Sequence, residues 1–358
     1  MKNKRFLIAS GGTGGHFYPG FALGKSLQEQ GGDVLFVVRQ HDPAAAVLKD
    51  NGLNYREIAL ASGLPRSVNP LRQVRFVKGL VRSLAQTRAL IKEFRPDVAL
   101  GMGGYVSFPL VFCARLAGVK TAVHESNAIW GLANQLCGYF ATVRLLGLPM
   151  QKMTKKDRLV STPVRAEFAQ TVNHTEVLRA LGLSTSARTV LIMGGSQGAK
   201  GLNEALPEVI QNFPNWQFIH VTGTRWYDEQ QARYQGLPNV CALAYSNEIY
   251  KLMKSADLMI CRSGASTLAE LIACHIPAVL VPFPHAAANH QYFNAKILAD
   301  AGCAQIVCEG KDFAARLQQA LEKLDGTTLR NMCKAYERLL VPNPLAAVQH
   351  ITTVLEKL

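Results

Sequence analysis

Hydrophobic residues in this chain fall into two alternating kinds of pattern. Short unbroken apolar runs occur at Phe6–Ala9, Val34–Val38, Val98–Leu100, Thr121–Val123 and Val143–Leu146. They recur in the second half at Val190–Met193, Trp216–Val221, Leu258–Ile260, Ala278–Val281 and Gln305–Val307. Runs this short and this apolar read as strands buried on both faces. Between them, apolar residues return every three or four positions, as in Phe17, Phe21, Leu23 and Leu27 before the Gly31-Gly32 stop, and these stretches read as amphipathic helices. Strand and helix alternating along the whole chain predicts an α/β fold with parallel sheets and crossover helices.

Two of the apolar runs end in the same way. Phe6–Gly15 reads FLIASGGTGG and is followed by His16; Val190–Gly198 reads VLIMGGSQG, with Ser196 where the first has Thr13. A strand that turns through glycines into a helix N-terminus gathers backbone N–H groups and the positive end of a helix dipole at one spot, and so favours an anion. Two such units half a chain apart predict two similar α/β domains facing each other. The expected division is 1–162 and 163–342, near Ser161-Thr162-Pro163. A last segment, 343–358, carries Leu345, Val348, Ile351, Leu355 and Leu358 at helical spacing and is expected to fold back on the first domain.

Composition changes this picture in two ways. Lys and Arg number 39 against 25 Asp and Glu, a formal net charge of +14, which favours anionic partners: phosphates, nucleic acid or an acidic lipid surface. Half of that charge lies in Arg66–Arg95, where eight basic residues face Glu93 alone. Arg72, Arg75, Lys78 and Arg82 recur every three or four residues there, with Phe76, Leu80 and Leu84 as a neighbouring apolar row. A basic amphipathic helix of this kind suits an anionic membrane surface; the alternative is a solvated basic face over ordinary core contacts. No apolar run is long enough to span a bilayer, and the basic start MKNKR is followed by too few apolar residues for a signal peptide. The 8 cysteines include no CxxC and read as reduced thiols. No RNP, helix-turn-helix or zinc pattern supports the reading of a basic nucleic-acid-binding protein.

The remaining motifs also follow strands. Phe17 stands where a dinucleotide fingerprint needs glycine, and Arg39-Gln40 where it needs an acid, so an NAD site is not expected. Gly24-Lys25-Ser26 lies inside a helix and lacks the first glycine of a P-loop. Gly101–Tyr105 and His124-Glu125-Ser126-Asn127 follow the third and fourth apolar runs, at strand C-termini where ligands of open α/β sheets bind. Cys261–Thr267 opens a helix that carries Glu270, a carboxylate able to accept from paired ribose hydroxyls. Asn289-His290-Gln291 and Asn127 offer amides and imidazole to sugar hydroxyls, and Arg165 a guanidinium to phosphate. No D-x-D and no His/Cys cluster of metal spacing occurs, so no metal or other cofactor is expected.

In order along the whole chain, GGTGGH at 11–16, GMGGYVS at 101–107, HESN at 124–127, PVR at 163–165, GGSQGA at 194–199, RSGAST at 262–267 with Glu270, and HQ at 290–291 resemble the MurG family. The resemblance implies a GT-B fold, two Rossmann-like parallel-sheet domains facing a cleft, and a glycosyltransferase that moves N-acetylglucosamine (GlcNAc) from UDP-GlcNAc to the 4-hydroxyl of the muramic acid sugar in lipid I, giving lipid II for peptidoglycan. It implies, residue by residue, that Thr13, Gly14 and Gly15 lie nearest the diphosphate and sugar. Asn127 would lie at the GlcNAc hydroxyls, and Arg165 and Ser196 at the diphosphate. Gly264, Ala265, Ser266, Thr267, Leu268 and Ala269 would form a backbone cradle, Glu270 would hold the ribose, and His290 and Gln291 the sugar. The uracil position falls near Ser246. Ser126 and Ser161-Thr162 depart from the family's usual residues. The implied partners are UDP-GlcNAc, lipid I, an anionic membrane surface and other cell-wall synthesis proteins, at the cytoplasmic face of the inner membrane, with no nucleic acid. An imidazole titrates in the physiological range, which makes His16 the expected general base and Glu125 the runner-up. The alternatives are another GT-B UDP-sugar transferase or a UDP-GlcNAc epimerase.

Overall fold

The computed structural model describes residues 1–60, 69–195 and 198–358. The chain forms two compact units, Met1–Arg165 with Val341–Leu358, and Ala166–Leu340.

The first unit is built on a seven-stranded parallel sheet of β1 (Arg5–Ala9), β2 (Asp33–Arg39), β3 (Tyr55–Ile58), β4 (Val98–Gly101), β5 (Lys120–Glu125), β6 (Val143–Leu146) and β7 (Asp157–Leu159). Its order is β3-β2-β1-β4-β5-β6-β7. The helices α1 (Gly14–Glu29), α2 (Ala44–Asp50), α3 (Pro70–Phe94), α4 (Ser107–Leu116) and α5 (Leu132–Phe140) cross between strands. Strands in parallel sheets are covered on both faces, which is why β1, β2 and β4 are apolar almost throughout. Phe6, Ile8, Phe36, Val38 and Leu100 point to one face, against Leu23 and Leu27 of α1. Leu7, Ala9, Val37 and Ala99 point to the other, against Leu90, Ile91 and Leu110. The order reverses between β1 and β4, the switch point at which ligands of such sheets bind.

The second unit repeats the plan with six parallel strands. These are β8 (Arg188–Met193), β9 (Trp216–Val221), β10 (Val240–Leu243), β11 (Leu258–Cys261), β12 (Ala278–Leu280) and β13 (Ala304–Ile306), in the order β10-β9-β8-β11-β12-β13. Its helices are α6 (His174–Ala180), α7 (Lys200–Gln211), α8 (Tyr227–Arg233), α9 (Ile249–Lys254), α10 (Ala265–Cys274), α11 (His290–Asp300), α12 (Phe313–Glu322) and α13 (Gly326–Ala335). The switch point lies between β8 and β11. The closing helix α14 (Ala347–Glu356) returns to the first unit and buries Ile351 and Leu355 in the α1 side of its core.

The basic segment forms α3, capped by Asn69, whose side chain accepts from Leu71 N. Arg66 and the rest of 61–68 lie outside the described residues. Arg72, Arg75, Lys78 and Arg82 are exposed, as the charge pattern requires. Of the apolar row, Phe76, Leu80 and Leu84 are half-buried, and Leu84 packs on the core. Phe76 and Leu80 line an apolar recess of about 230 Å³ with Leu60, Tyr105, Phe108 and Leu136. The large apolar residues of α3 that stand exposed are Leu71, Val74, Val77 and Val81. The reason is geometric. Phe76 and Leu80 are four apart and share the helix side of buried Ser83, Thr87 and Leu90, whereas the valines lie about a third of a turn round. Among the described residues no helix is long and apolar enough to cross a membrane.

Candidate functional site

In the first unit the glycine turns after β1 and β4 flank the switch point and meet at His16. Thr13 sits at the N-cap of α1, with Gly14, Gly15 and His16 in the first turn. The Thr13 hydroxyl caps no backbone group; it lies 3.2 Å from His16 Nδ1. With Nδ1–H donating to that oxygen, Nε2 is the basic nitrogen of the ring. The other side of the imidazole lies on Gly103. That residue has φ +109, and a Cβ there would come within 2.5 Å of His16 Cδ2 and 2.8 Å of Nε2. Glycine is required twice over, for the backbone angle and for the close approach. Ser107 Oγ fixes the turn by donating to Gly103 O and accepting from Gly103 N.

The His-Glu-Ser-Asn stretch closes β5. His124 is fully buried; one ring nitrogen faces Ser161 O at 3.1 Å and the other Ser126 Oγ at 3.3 Å. Burial holds its pKa below the ordinary imidazole value, against the hydrogen bond to Ser161 and the charge of Glu125, which pull it up. Ser161 itself has φ +68, in the left-handed region that favours glycine. Glu125 is 2% exposed and accepts four hydrogen bonds. Asn127 N and Nδ2 bond to Oε1, and Gly131 N and Asn134 Nδ2 to Oε2. Its lone pairs are thus engaged in shaping the loop that presents Asn127.

In the second unit the corresponding turns are those after β8, β11 and β12. Gly195 and Gly198 both have positive φ, and Ser196 lies outside the described residues. Gly264 is the N-cap of α10, and Ala265, Ser266 and Thr267 form its first turn. Leu268 and Ala269 are buried, so only their backbone can face a ligand, whereas Glu270 is half-buried. Ser266 Oγ is buried without a hydrogen-bond partner. Gln291 is held in place: its Oε1 accepts from Phe283 N at 2.9 Å, and its carbonyl accepts from Ser263 Oγ at 2.8 Å. His290 Nδ1 faces Ala287 O at 2.9 Å. Ser246 follows β10 and lines a groove of about 1000 Å³ with Tyr245, Asn247 and Glu176. Arg165 ends the first of the two segments that make up the first unit and is half-buried.

Three contributors had no role in the sequence reading. Arg262 is 8% exposed; it donates to Val281 O and Pro282 O and pairs with Glu309 at 2.7 Å, tying together the ends of β11, β12 and β13. Asn294 Nδ2 donates to Ser263 O. In the first unit, Asp42 accepts from Gly12 N. Each works through backbone partners distant in sequence, which no local motif displays. Among the described residues, no three His, Cys, Asp or Glu side chains come together as metal ligands.

The chain matches the profile of the glycosyltransferase family 28 N-terminal domain over residues 6–144 and of its C-terminal domain over 189–346. It is 46% identical over 361 residues to a UDP-N-acetylglucosamine--N-acetylmuramyl-(pentapeptide) pyrophosphoryl-undecaprenol N-acetylglucosamine transferase of Elusimicrobium minutum, covering 99% of this chain and 100% of that one. A protein of the same name from Desulforudis audaxviator is 35% identical over 372 residues, covering 99% and 98%. Among solved structures, that of Acinetobacter baumannii MurG superposes with a TM-score of 0.82 at 28% identity, covering 99% of this chain and 100% of that one. The fold is accordingly GT-B.

Proposed function

We infer, from the premise that this chain belongs to the MurG family of glycosyltransferases, that it transfers GlcNAc from UDP-GlcNAc to lipid I and so forms lipid II for peptidoglycan. The attack is made by the 4-hydroxyl of the muramic acid sugar on the anomeric carbon, with inversion, and UDP leaves. His16 is the general base. The observation that supports this is its ring, clasped between Thr13 Oγ1 and Gly103 where both glycine turns of the first unit end. Glu125 is then a positioning residue for Asn127, which meets sugar hydroxyls.

The second unit takes the donor. Backbone N–H groups at the start of α10, with Gly264 to Ala269, face the diphosphate together with Ser196 and Arg165. Glu270 accepts from the ribose hydroxyls, Ser246 lies by the base, and His290 and Gln291 address the sugar. Dipoles, hydroxyls and a guanidinium stabilise the departing diphosphate without a metal. The first unit docks on the cytoplasmic face of the inner membrane through Arg72, Arg75, Lys78 and Arg82 and the exposed valines beside them. Phe76 and Leu80 line the apolar recess behind. Other cell-wall synthesis proteins are its partners there.

Turnover of His16→Ala tests the base: kcat is expected to fall by about 10²–10⁴-fold with UDP affinity unchanged. Retained turnover with weakened donor binding would make His16 a binding residue only.

A further inference from the structure

The turn that carries His16 is held from below by a carboxylate outside every motif read from the sequence. Asp42 lies three residues past the end of β2 and is 6% exposed. Its Oδ2 accepts from Gly12 N at 2.8 Å and its Oδ1 from Ala44 N at 3.1 Å. One side chain thus ties the β1–α1 turn to the start of α2. The fit is close: a Cβ at Gly11 would lie 2.9 Å from Oδ2, so only glycine lets the carboxylate in. The negative charge sits at the N-terminal end of α1, where the helix dipole favours it. In an anion-binding turn an incoming phosphate takes this N–H; here the protein supplies the anion itself.

Among the described residues the second unit shows no counterpart. The residues after β9, Thr222 to Trp226, contain no acid and one arginine. There the backbone carbonyl of Thr222 accepts from Asn203 Nδ2 of α7 at 3.2 Å, and a Cβ at Gly198 would lie 2.4 Å from that carbonyl oxygen. Among the described residues the latch is therefore seen in the unit that carries His16 and not in the second unit.

We propose that Asp42 is a positioning residue for catalysis: by holding Gly12 it fixes Thr13, and through the Thr13 hydroxyl the orientation of His16. The proposal rests on the assignment of His16 as base. A buried carboxylate making two charge-assisted hydrogen bonds is a strong tether, and a base displaced by an ångström loses much of its effect.

The test compares Asp42→Ala and Asp42→Asn with the parent enzyme, measuring kcat and donor KM for GlcNAc transfer, UDP affinity by calorimetry, and thermal melting. Asp42→Ala is expected to lower kcat roughly tenfold or more, with UDP affinity and donor KM within about twofold. Asp42→Asn keeps an acceptor oxygen for Gly12 and recovers part of the loss. If Asp42→Ala does not fold, Asp42→Asn carries the test alone, with a smaller fall in kcat at unchanged UDP affinity. Unchanged kcat in the variant that folds would overturn the proposal. So would a loss of turnover matched by an equal loss of UDP affinity, since that reports a general structural role. His16→Ala measured alongside separates the two claims. Full turnover there refutes the base, whereas full turnover in the Asp42 variants with His16→Ala impaired refutes the latch.

Discussion

Replacing Gly103 by alanine should damage catalysis through one identified contact. The new methyl carbon would stand 2.5 Å from His16 Cδ2, where ordinary contact begins at 3.4 Å, so ring and turn must part by about 1 Å. The backbone contributes too, because φ +109 suits few residues other than glycine and costs of the order of 1–3 kcal/mol. The imidazole is the movable partner, since Ser107 Oγ holds both polar groups of Gly103. A misplacement of about 1 Å can cost on the order of 10²-fold in rate, so kcat should fall between about tenfold and 10²-fold. UDP affinity should hold, because the α10 turn, Glu270 and Ser246, assigned to the nucleotide, lie in the other unit. The assay is steady-state transfer of labelled GlcNAc, with UDP binding by calorimetry, run as a double-mutant cycle with His16→Ala. If Gly103→Ala acts through His16, it adds little once the ring is gone. The same loss of kcat in both backgrounds would refute the reasoning.

Ser161→Gly should raise stability by about 1 kcal/mol or less, the relief of a left-handed residue offset by glycine's entropy; a lower melting temperature would contradict it. Acid should destabilise the second unit through His220, which is buried against the Tyr234 hydroxyl at 2.7 Å with its pKa pushed down to about 3 by desolvation. The unfolded chain binds that proton first, so stability falls as pH drops from about 6.5 toward 3, by about 1.4 kcal/mol per pH unit. His220→Gln should flatten the slope of melting temperature against pH, and an unaltered slope would place the sensitivity elsewhere. Reversing Arg75, Lys78 and Arg82 to Glu should release the protein from anionic vesicles, each cation contributing about 1 kcal/mol. Transfer to a short-chain soluble acceptor should persist in that variant, and unchanged vesicle sedimentation would move the docking surface off α3.

The inner strands were legible in the sequence because parallel strands covered on both faces are nearly continuous apolar runs. The three that gave no such run are β3, β7 and β10, with sequences YREI, DRL and VCAL. All three are sheet edges, short and, in β3 and β7, charged, as edges commonly are. The glycine turns announced the site for a similar reason: φ and close approach are demanded locally. What holds those turns was not legible. Asp42, Arg262 and Asn294 act on backbone groups 19 to 31 positions away, and Glu309 on the Arg262 guanidinium 47 positions away; only the folded sheet brings them there. Which apolar residues of α3 face the core was not legible either, because the helix has more apolar positions than one core stripe needs; packing half-buries Phe76 and Leu80 and leaves the valines outside.

The most direct measurement is transfer of labelled GlcNAc from UDP-GlcNAc to a lipid I analogue in excess EDTA, with the products identified by mass. The account predicts a lipid-linked disaccharide and UDP, at a rate unaffected by chelation. Release of epimerised sugar with no lipid-linked product would contradict the transferase assignment, and activity that disappears in EDTA and returns with magnesium would contradict the metal-free mechanism.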